Sequence, residues 1–235
     1  ILRKHSRINK NNYNRDREAI EMSILYTCCV PHPPLIIPEV GKGEEKKIQD
    51  TINSYHEVMK KVASFHPDTI IIISPHNTSY SDYFNISDGA HAEGDFGQFR
   101  AKQVKITCDY DEEFVEALCH NTENSGVPAG TLGQRMKRLD HATMIPLYFL
   151  NQYMTNYKVV RMGLSGLSYQ DHYHLGQLIR KTADELNRKV VIIASGDLSH
   201  KLKESVPYGY ASEGPEFDHK VIEALSHGNF LDLMT

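Results

Sequence analysis

Short apolar runs alternate with stretches of helical apolar spacing along most of this chain. Residues 24–30 form an apolar run that predicts a buried strand, and residues 44–65 then repeat apolar positions at helical spacing. Residues 69–74 give the clearest strand signal, because they contain four consecutive isoleucines. Further strands are predicted over 102–108, 158–163 and 189–194, and further helices after an N-cap at Asp109 and over 144–153, 175–186 and 215–225.

Strands that read as apolar on both faces and alternate with helices are typical of parallel sheets covered by helices. The pattern therefore predicts an α/β fold, a single domain whose mostly parallel central sheet is flanked by helices. Residues 22–235 show no internal repeat or linker, so we assign them to one domain. Residues 1–21 carry scattered basic residues and asparagines with no apolar period, and we interpret them as a flexible leader or as sequence added to the natural chain. Residues 229–235 stop while still apolar, which favours a domain truncated at its C-terminus.

Composition narrows the class of protein. The 235 residues are 40% hydrophobic and 24% charged, which is typical of a globular chain and excludes a disordered one. A net charge of −4 argues against a nucleic-acid partner. No apolar run approaches the length of a membrane helix, so no membrane partner is expected. Four cysteines without a paired-thiol motif favour free thiols in the cytoplasm, and self-association into a homo-oligomer is left open.

Histidines carry the strongest chemical signal. Among 13 histidines, His32, His76 and His200 each follow a predicted strand closely. Because the carboxyl ends of strands form the ligand crevice of open α/β sheets, these side chains are expected to converge. Imidazoles gathered in one crevice suit a divalent transition metal, and prolines beside His32 and His76 would stiffen the backbone that holds them. The alternative is that each histidine only caps a loop.

The remaining candidates have weaker support. His141 follows Asp140 at the start of a predicted helix, where it faces either the crevice or solvent. His172 and His174 lie two apart on a predicted helix, where side chains diverge, so both are expected to be exposed.

A hydrolytic triad of Ser195, Asp197 and His200 can be drawn, but all three crowd one six-residue turn.

Four motifs occur in a fixed order. The first is residues 30–41, which begin with Val-Pro-His-Pro-Pro, and the second is Ser74-Pro75-His76. Asp140-His141 follows, and the last is residues 195–200 with the sequence Ser-Gly-Asp-Leu-Ser-His. Together they resemble the class III extradiol ring-cleavage dioxygenases, whose catalytic subunits are LigB-like. Within that family the chain more closely resembles the N-terminal dioxygenase-like domain of AmmeMemoRadiSam system protein A, a relative of Memo. The resemblance spans roughly residues 22–235 and implies a LigB-like fold.

The resemblance implies a non-heme Fe(II) enzyme that inserts O₂ into a small catechol-type aromatic substrate. His32 and His76 match the iron-binding histidines of the family, and zinc is the alternative metal. His200 matches the acid–base histidine, and His141 matches a second-sphere histidine near the substrate.

We further expect Asp197, Ser199 and Tyr208 to bind substrate. The third ligand of the family is a glutamate that we expect past Thr235, with Glu216 or Asp218 as substitutes inside the chain.

Two other functions are held against the dioxygenase. One is a Memo-like, non-catalytic module that binds a metal or ligand and works with a radical-SAM partner. The other is a metal-dependent hydrolase on the same scaffold.

Overall fold

A parallel four-stranded sheet forms the centre of the structure, a computed structural model that describes residues 23–205 and 207–234. The strands are β1 (Ile24–Val30), β2 (Thr69–Ile73), β3 (Phe84–Asn85), β4 (His91–Phe96), β5 (Ala101–Asp109), β6 (Ala129–Gly130), β7 (Lys158–Met162) and β8 (Val190–Ser195). The α-helices are α1 (Pro38–Gly41), α2 (Gln49–Ser64), α3 (Glu112–Ser125), α4 (His141–Leu150), α5 (Tyr169–Glu185) and α6 (Glu213–His227). Short 3-10 helices occupy Pro34–Ile36, Glu44–Ile48, Gly97–Phe99 and Phe230–Met234. The predicted leader lies outside the described residues.

The central sheet has the strand order β1-β8-β2-β7, and every pair in it is parallel. β8 therefore lies between the two strands that lead into the Pro-His motifs. Two smaller pairs complete the strands, a parallel pair of β3 with β6 and an antiparallel hairpin of β4 with β5. These features confirm the predicted α/β fold with a mostly parallel sheet.

The sheet is covered on both faces, because successive side chains of a strand point to opposite sides. In β2, Ile70 and Ile72 pack with residues of α2 and α4, whereas Ile71 packs with residues of α3 and α5. All three isoleucines are fully buried, and burial of each side chain stabilises the fold by roughly 1.5–3 kcal/mol. The four-isoleucine run is thus the centre of a three-layer core.

β1 is not the buried strand that its sequence predicts. It lies at the edge of the sheet and pairs only with β8 among the described strands, so Thr27 and Cys29 are exposed. Hydrophobicity alone does not distinguish an edge strand from a central one, because both need an apolar face. All four cysteines are free, as the sequence suggested.

Two local predictions needed correction. The N-cap of α3 is Asp111, whose carboxylate accepts a hydrogen bond from the Phe114 amide, and Asp109 instead ends β5. The β4 strand was not predicted, since its inward positions include the small residues Ala92 and Gly94 and show little hydrophobic alternation. A Cβ at Gly94 would lie 2.5 Å from the Met144 sulfur, so this glycine allows the hairpin to pack closely on α4.

No helix in residues 23–205 or 207–234 is long and apolar enough to cross a membrane.

Arg161 on β7 is fully buried and forms hydrogen bonds to loops beside the sheet. Its guanidinium donates to the Ser87 hydroxyl at 3.0 Å and to the Asn77 side-chain oxygen at 2.6 Å. It also donates to the main-chain carbonyls of Met136 and Arg138. These acceptors are all neutral, so the charge is stabilised by hydrogen bonds that hold segments distant in sequence against β7.

Arg161→Met should lower the free energy of unfolding by about 3 kcal/mol, because buried oxygens would lose their donor. Urea unfolding followed by circular dichroism measures the change. Arg180→Met on exposed α5 is the control and should change stability by less than about 0.5 kcal/mol. Equal stability of the two variants would contradict this role of Arg161.

Candidate metal centre

Three neighbouring strands of the central sheet end at the same edge and carry the candidate residues. His32 lies two residues beyond β1, His76 three residues beyond β2, and Asp197 two residues beyond β8. Because β8 pairs with both β1 and β2, the loop with Asp197 lies between the two histidine loops. This edge is where ligands bind in open α/β folds.

His32, His76 and His141 come together at this edge. One side-chain nitrogen from each lies within 4.8 Å of the others, and this is the one such group of potential metal ligands within residues 23–205 and 207–234. The ring centroids are 5.0 Å apart for His32 and His76, 5.4 Å for His32 and His141, and 4.3 Å for His76 and His141. We refer to these three side chains as the histidine cluster.

His32 is the most firmly held member of the histidine cluster, at 4% exposure. Its Nδ1 shares a hydrogen bond with the Ser195 hydroxyl at 3.1 Å, and its main-chain N–H donates to Asp197 Oδ1 at 3.1 Å. With Nδ1 occupied by Ser195, Nε2 is the nitrogen left for a metal, and it lies 3.6 Å from Asp197 Oδ2.

His141 enters the cluster as the first residue of α4, so its crevice-facing alternative is the one the structure adopts. Asp140 caps the helix by accepting from the Thr143 amide at 3.0 Å. The Phe99 ring meets His141 edge-on at a centroid distance of 5.3 Å and shields one side of it.

Burial keeps two of the cluster imidazoles neutral. Desolvation, followed by the neighbouring His76 and His32, lowers the pKa of His141 to about 4. Desolvation also lowers the pKa of His32, although the Asp197 carboxylate opposes that effect. Neutral imidazole is the form that ligates metals, so both side chains are ready to bind one at neutral pH.

The donors present fit a divalent transition metal in type and number. Three imidazoles with a carboxylate beside them match the nitrogen-rich sets that iron and zinc accept, and no thiolate lies in the group. Asp197 is the nearby carboxylate, through its contact with His32.

His200 lies next to the histidine cluster rather than inside it. Its Nε2 is 3.4 Å from Asp197 Oδ2, the same oxygen that approaches His32. The Tyr208 ring packs against His200 at a centroid distance of 4.9 Å, and Tyr208 is 63% exposed. Asp197 therefore connects the cluster to a half-exposed imidazole at the mouth of the crevice.

Ser199 contacts other parts of the chain. Its amide donates to Asp218 at 2.8 Å, and its hydroxyl accepts from the Lys201 amide. Its assignment as a substrate residue has no contact with the histidine cluster to support it and stays a prediction.

Neither proposed substitute ligand inside the chain is part of the cluster. Asp218 is engaged by Ser199, and Glu216 pairs with Lys220 on the surface of α6 at 2.8 Å. The hydrolytic triad also lacks support, because the Ser195 hydroxyl bonds to His32 instead of His200.

Comparison with known proteins identifies the family of the chain. Residues 26–235 match the family described as the catalytic LigB subunit of aromatic ring-opening dioxygenase. The chain belongs to the LigB family.

Three curated proteins illustrate what the chain is similar to. Protein CA_C1420 of Clostridium acetobutylicum is 38% identical over 88% of this chain and 46% of its own length. The MEMO1 family protein MJ0403 of Methanocaldococcus jannaschii is 29% identical over 71% of this chain and 53% of its own. A 2,3-dihydroxyphenylpropionate/2,3-dihydroxicinnamic acid 1,2-dioxygenase of Escherichia coli is 26% identical over 75% and 56%. The chain spans about half the length of these relatives.

A cavity of about 460 Å³ opens beside the histidine cluster of this LigB chain. It is lined by His76, Asp95, Gln98, Phe99, Met136, Arg138, Leu139, Asp140 and His141. Sequence reasoning missed Phe99 and the ion pair of Arg138 with Asp95 at 2.6 Å. The β4–β5 hairpin that carries Asp95 shows little hydrophobic alternation in its first strand. The cavity-lining role of these residues is therefore visible only in the folded structure.

The prediction that His172 and His174 are both exposed is confirmed for one of the two. His174 is exposed on α5. His172 is partly buried, because its ring packs edge-on against Phe84 at 4.6 Å.

His76→Ala should weaken metal binding at least about 100-fold, because it removes one of three imidazole donors. Anaerobic Fe(II) titration of the chain, read by calorimetry, measures the affinity. His174→Ala is the matched control, since His174 is exposed on α5 outside the cluster, and it should bind like the parent chain. Unchanged affinity in His76→Ala would refute the assignment.

Metal-free protein should lose stability as the pH falls from 6.5 towards 4. In that window an unfolded histidine gains a proton at its ordinary pKa of 6.5, whereas folded His141 stays neutral down to about 4. His141→Gln should therefore flatten this part of the stability profile, and His174→Gln should leave it unchanged. Urea unfolding in chelator at half-unit pH steps tests this, and an identical slope for all three proteins would contradict it.

Proposed function

We propose that this chain carries the metal site of an Fe(II)-dependent extradiol ring-cleavage dioxygenase that acts on a catechol-type aromatic with O₂. The observation that carries the proposal is the histidine cluster at the carboxyl edge of the sheet, with Asp197 and His200 directly beside it. Membership of the LigB family and the similarity to a ring-cleavage dioxygenase support it.

His32, His76 and His141 would hold the metal. A bound Fe(II) ion supplies coordination positions at which a vicinal diol and O₂ can be held together. Ser195 fixes the orientation of the His32 ring, so that Nε2 remains directed to the site.

Two roles are open for His141. It is either the third imidazole ligand of the metal or the second-sphere histidine near the substrate that the family resemblance implies. Its place in the cluster favours the first role, and its contact with Phe99 on the cavity wall is compatible with the second. Among the described residues, no glutamate is part of the histidine cluster.

His200 is the proposed acid–base group. Its ring is half exposed at the crevice mouth, where it can exchange protons with a substrate hydroxyl. Its Nε2 lies 3.4 Å from Asp197 Oδ2, and the same carboxylate oxygen approaches His32. Tyr208 offers an aromatic face next to the same imidazole.

The lining of the cavity is compatible with an aromatic substrate. Its walls combine the apolar side chains of Phe99, Met136 and Leu139 with the polar Arg138–Asp95 pair, and its volume is about 460 Å³. An apolar wall with a few fixed polar groups suits a ring that carries a substituent.

A Memo-like binding module is the second candidate, favoured by the similarity to a MEMO1 family protein. On that hypothesis the same cluster binds a metal or ligand without turnover. Metal binding without O₂ uptake, together with capture of a radical-SAM partner, would support it. A metal-dependent hydrolase is the remaining alternative, and zinc-dependent ester cleavage without O₂ uptake would indicate it.

His200→Gln should lower the rate of O₂ uptake about 100- to 10,000-fold, because it removes the acid–base group. Fe(II) affinity should change little, since His200 lies outside the cluster. An oxygen electrode with 2,3-dihydroxyphenylpropionate and simple catechols measures turnover, with His174→Gln as the control. If the complete, iron-loaded protein consumed no O₂ with any vicinal diol, the dioxygenase proposal would be wrong.

A further inference from the structure

We propose that Ser74 is the positioning residue that ties His76 to His141, so that one buried hydroxyl sets the spacing of these two imidazoles. The inference rests on the metal site of the proposed function. Ser74 is fully buried directly after β2. Its hydroxyl donates to Asp140 Oδ1 at 2.6 Å and accepts from the His76 main-chain N–H at 3.1 Å.

The hydroxyl therefore joins two segments that are far apart in sequence. On one side it holds the backbone of His76, and on the other it holds the cap of the helix that begins with His141. The His76 amide bonds to the Ser74 hydroxyl, and that hydroxyl bonds to Asp140, the residue directly before His141. These two rings are also the closest pair in the histidine cluster, with centroids 4.3 Å apart.

Asp140 is fixed from several directions. Its Oδ1 accepts from Ser74 and from the Thr143 amide at 3.0 Å, and its Oδ2 accepts from the Thr143 hydroxyl at 2.8 Å. The side chain is buried, and a buried carboxylate with this many donors has little freedom to move. The start of α4 is therefore anchored to the carboxyl end of β2.

The position of His76 depends more on the hydrogen bond of its backbone to Ser74 than the position of His32 depends on its own backbone. His76 is exposed, whereas His32 is buried and its ring is held directly by Ser195. For an exposed side chain, the backbone that carries it does more to fix its position. Loss of the Ser74 hydroxyl would release the His76 amide and the Asp140 carboxylate together.

The opposite end of β2 provides a matched control. There the Thr69 hydroxyl donates to Asp111 Oδ2 at 2.5 Å, and Asp111 caps α3. In both pairs, a buried hydroxyl donates a hydrogen bond to an aspartate that caps a helix. They are separated by the five residues of β2, about 15 Å, so only the Ser74 pair adjoins the histidine cluster.

The test compares Ser74→Ala with Thr69→Val, each of which removes a buried hydroxyl with little change of shape. Both should lower the urea midpoint of the metal-free protein. Only Ser74→Ala should weaken Co(II) affinity, about 10- to 100-fold, and alter the visible Co(II) absorption spectrum. Thr69→Val should bind within about twofold of the parent chain and keep its spectrum.

A second readout needs no metal. In Ser74→Ala the His76 amide loses its acceptor, so its hydrogen exchange should accelerate at least about tenfold, whereas Thr69→Val should leave it unchanged. Asp140→Asn is a conservative variant that keeps Oδ1 as an acceptor, so its His76 exchange rate and Co(II) spectrum should stay closer to those of the parent chain than to those of Ser74→Ala.

The outcomes separate the two proposals. Unchanged His76 exchange in Ser74→Ala would overturn the positioning role, as would equal losses of Co(II) affinity in Ser74→Ala and Thr69→Val. Failure of the parent chain to bind Co(II) or Fe(II) would overturn the proposed metal site, and the exchange experiment would still decide whether Ser74 ties the two segments together.

Discussion

Parallel pairing of β1, β8 and β2 is the constraint on which the candidate site depends. In a parallel sheet the strands end at the same edge, so the loops after neighbouring strands are neighbours in space. Here those loops carry His32, Asp197 and His76. Since helices cover both faces of the sheet, that edge is the place where polar side chains can meet without disrupting the core.

Buried polar groups then hold the crevice in shape. Arg161 fastens the main chain around Met136 and Arg138 to β7, and Ser74 fastens the start of α4 to β2. A buried donor or acceptor left without its partner is unfavourable, so each contact allows few alternative arrangements. The walls of the cavity and the histidine cluster are thus positioned from the interior of the protein.

Asp197 contacts both the histidine cluster and His200. It bonds the backbone of His32, and the same carboxylate lies close to the ring of His200, so a candidate ligand and a candidate acid–base group share one anion. A Memo-like binding module and a dioxygenase could both use this arrangement, because family membership establishes the scaffold but not turnover. What distinguishes them is whether His200 moves a proton during reaction with O₂.

Sequence alone determined the order of the four central strands, β5 and the long helices, together with the α/β class and the histidines at strand ends. These features depend on local hydrophobic spacing and on the residues that follow each strand. The tertiary structure decided that β1 is an edge strand, that His141 joins His32 and His76, and that Phe99 forms part of the cavity wall. Those features arise from contacts between segments far apart in the chain. Local periodicity records which side chains are buried, but it does not record the partners that they meet.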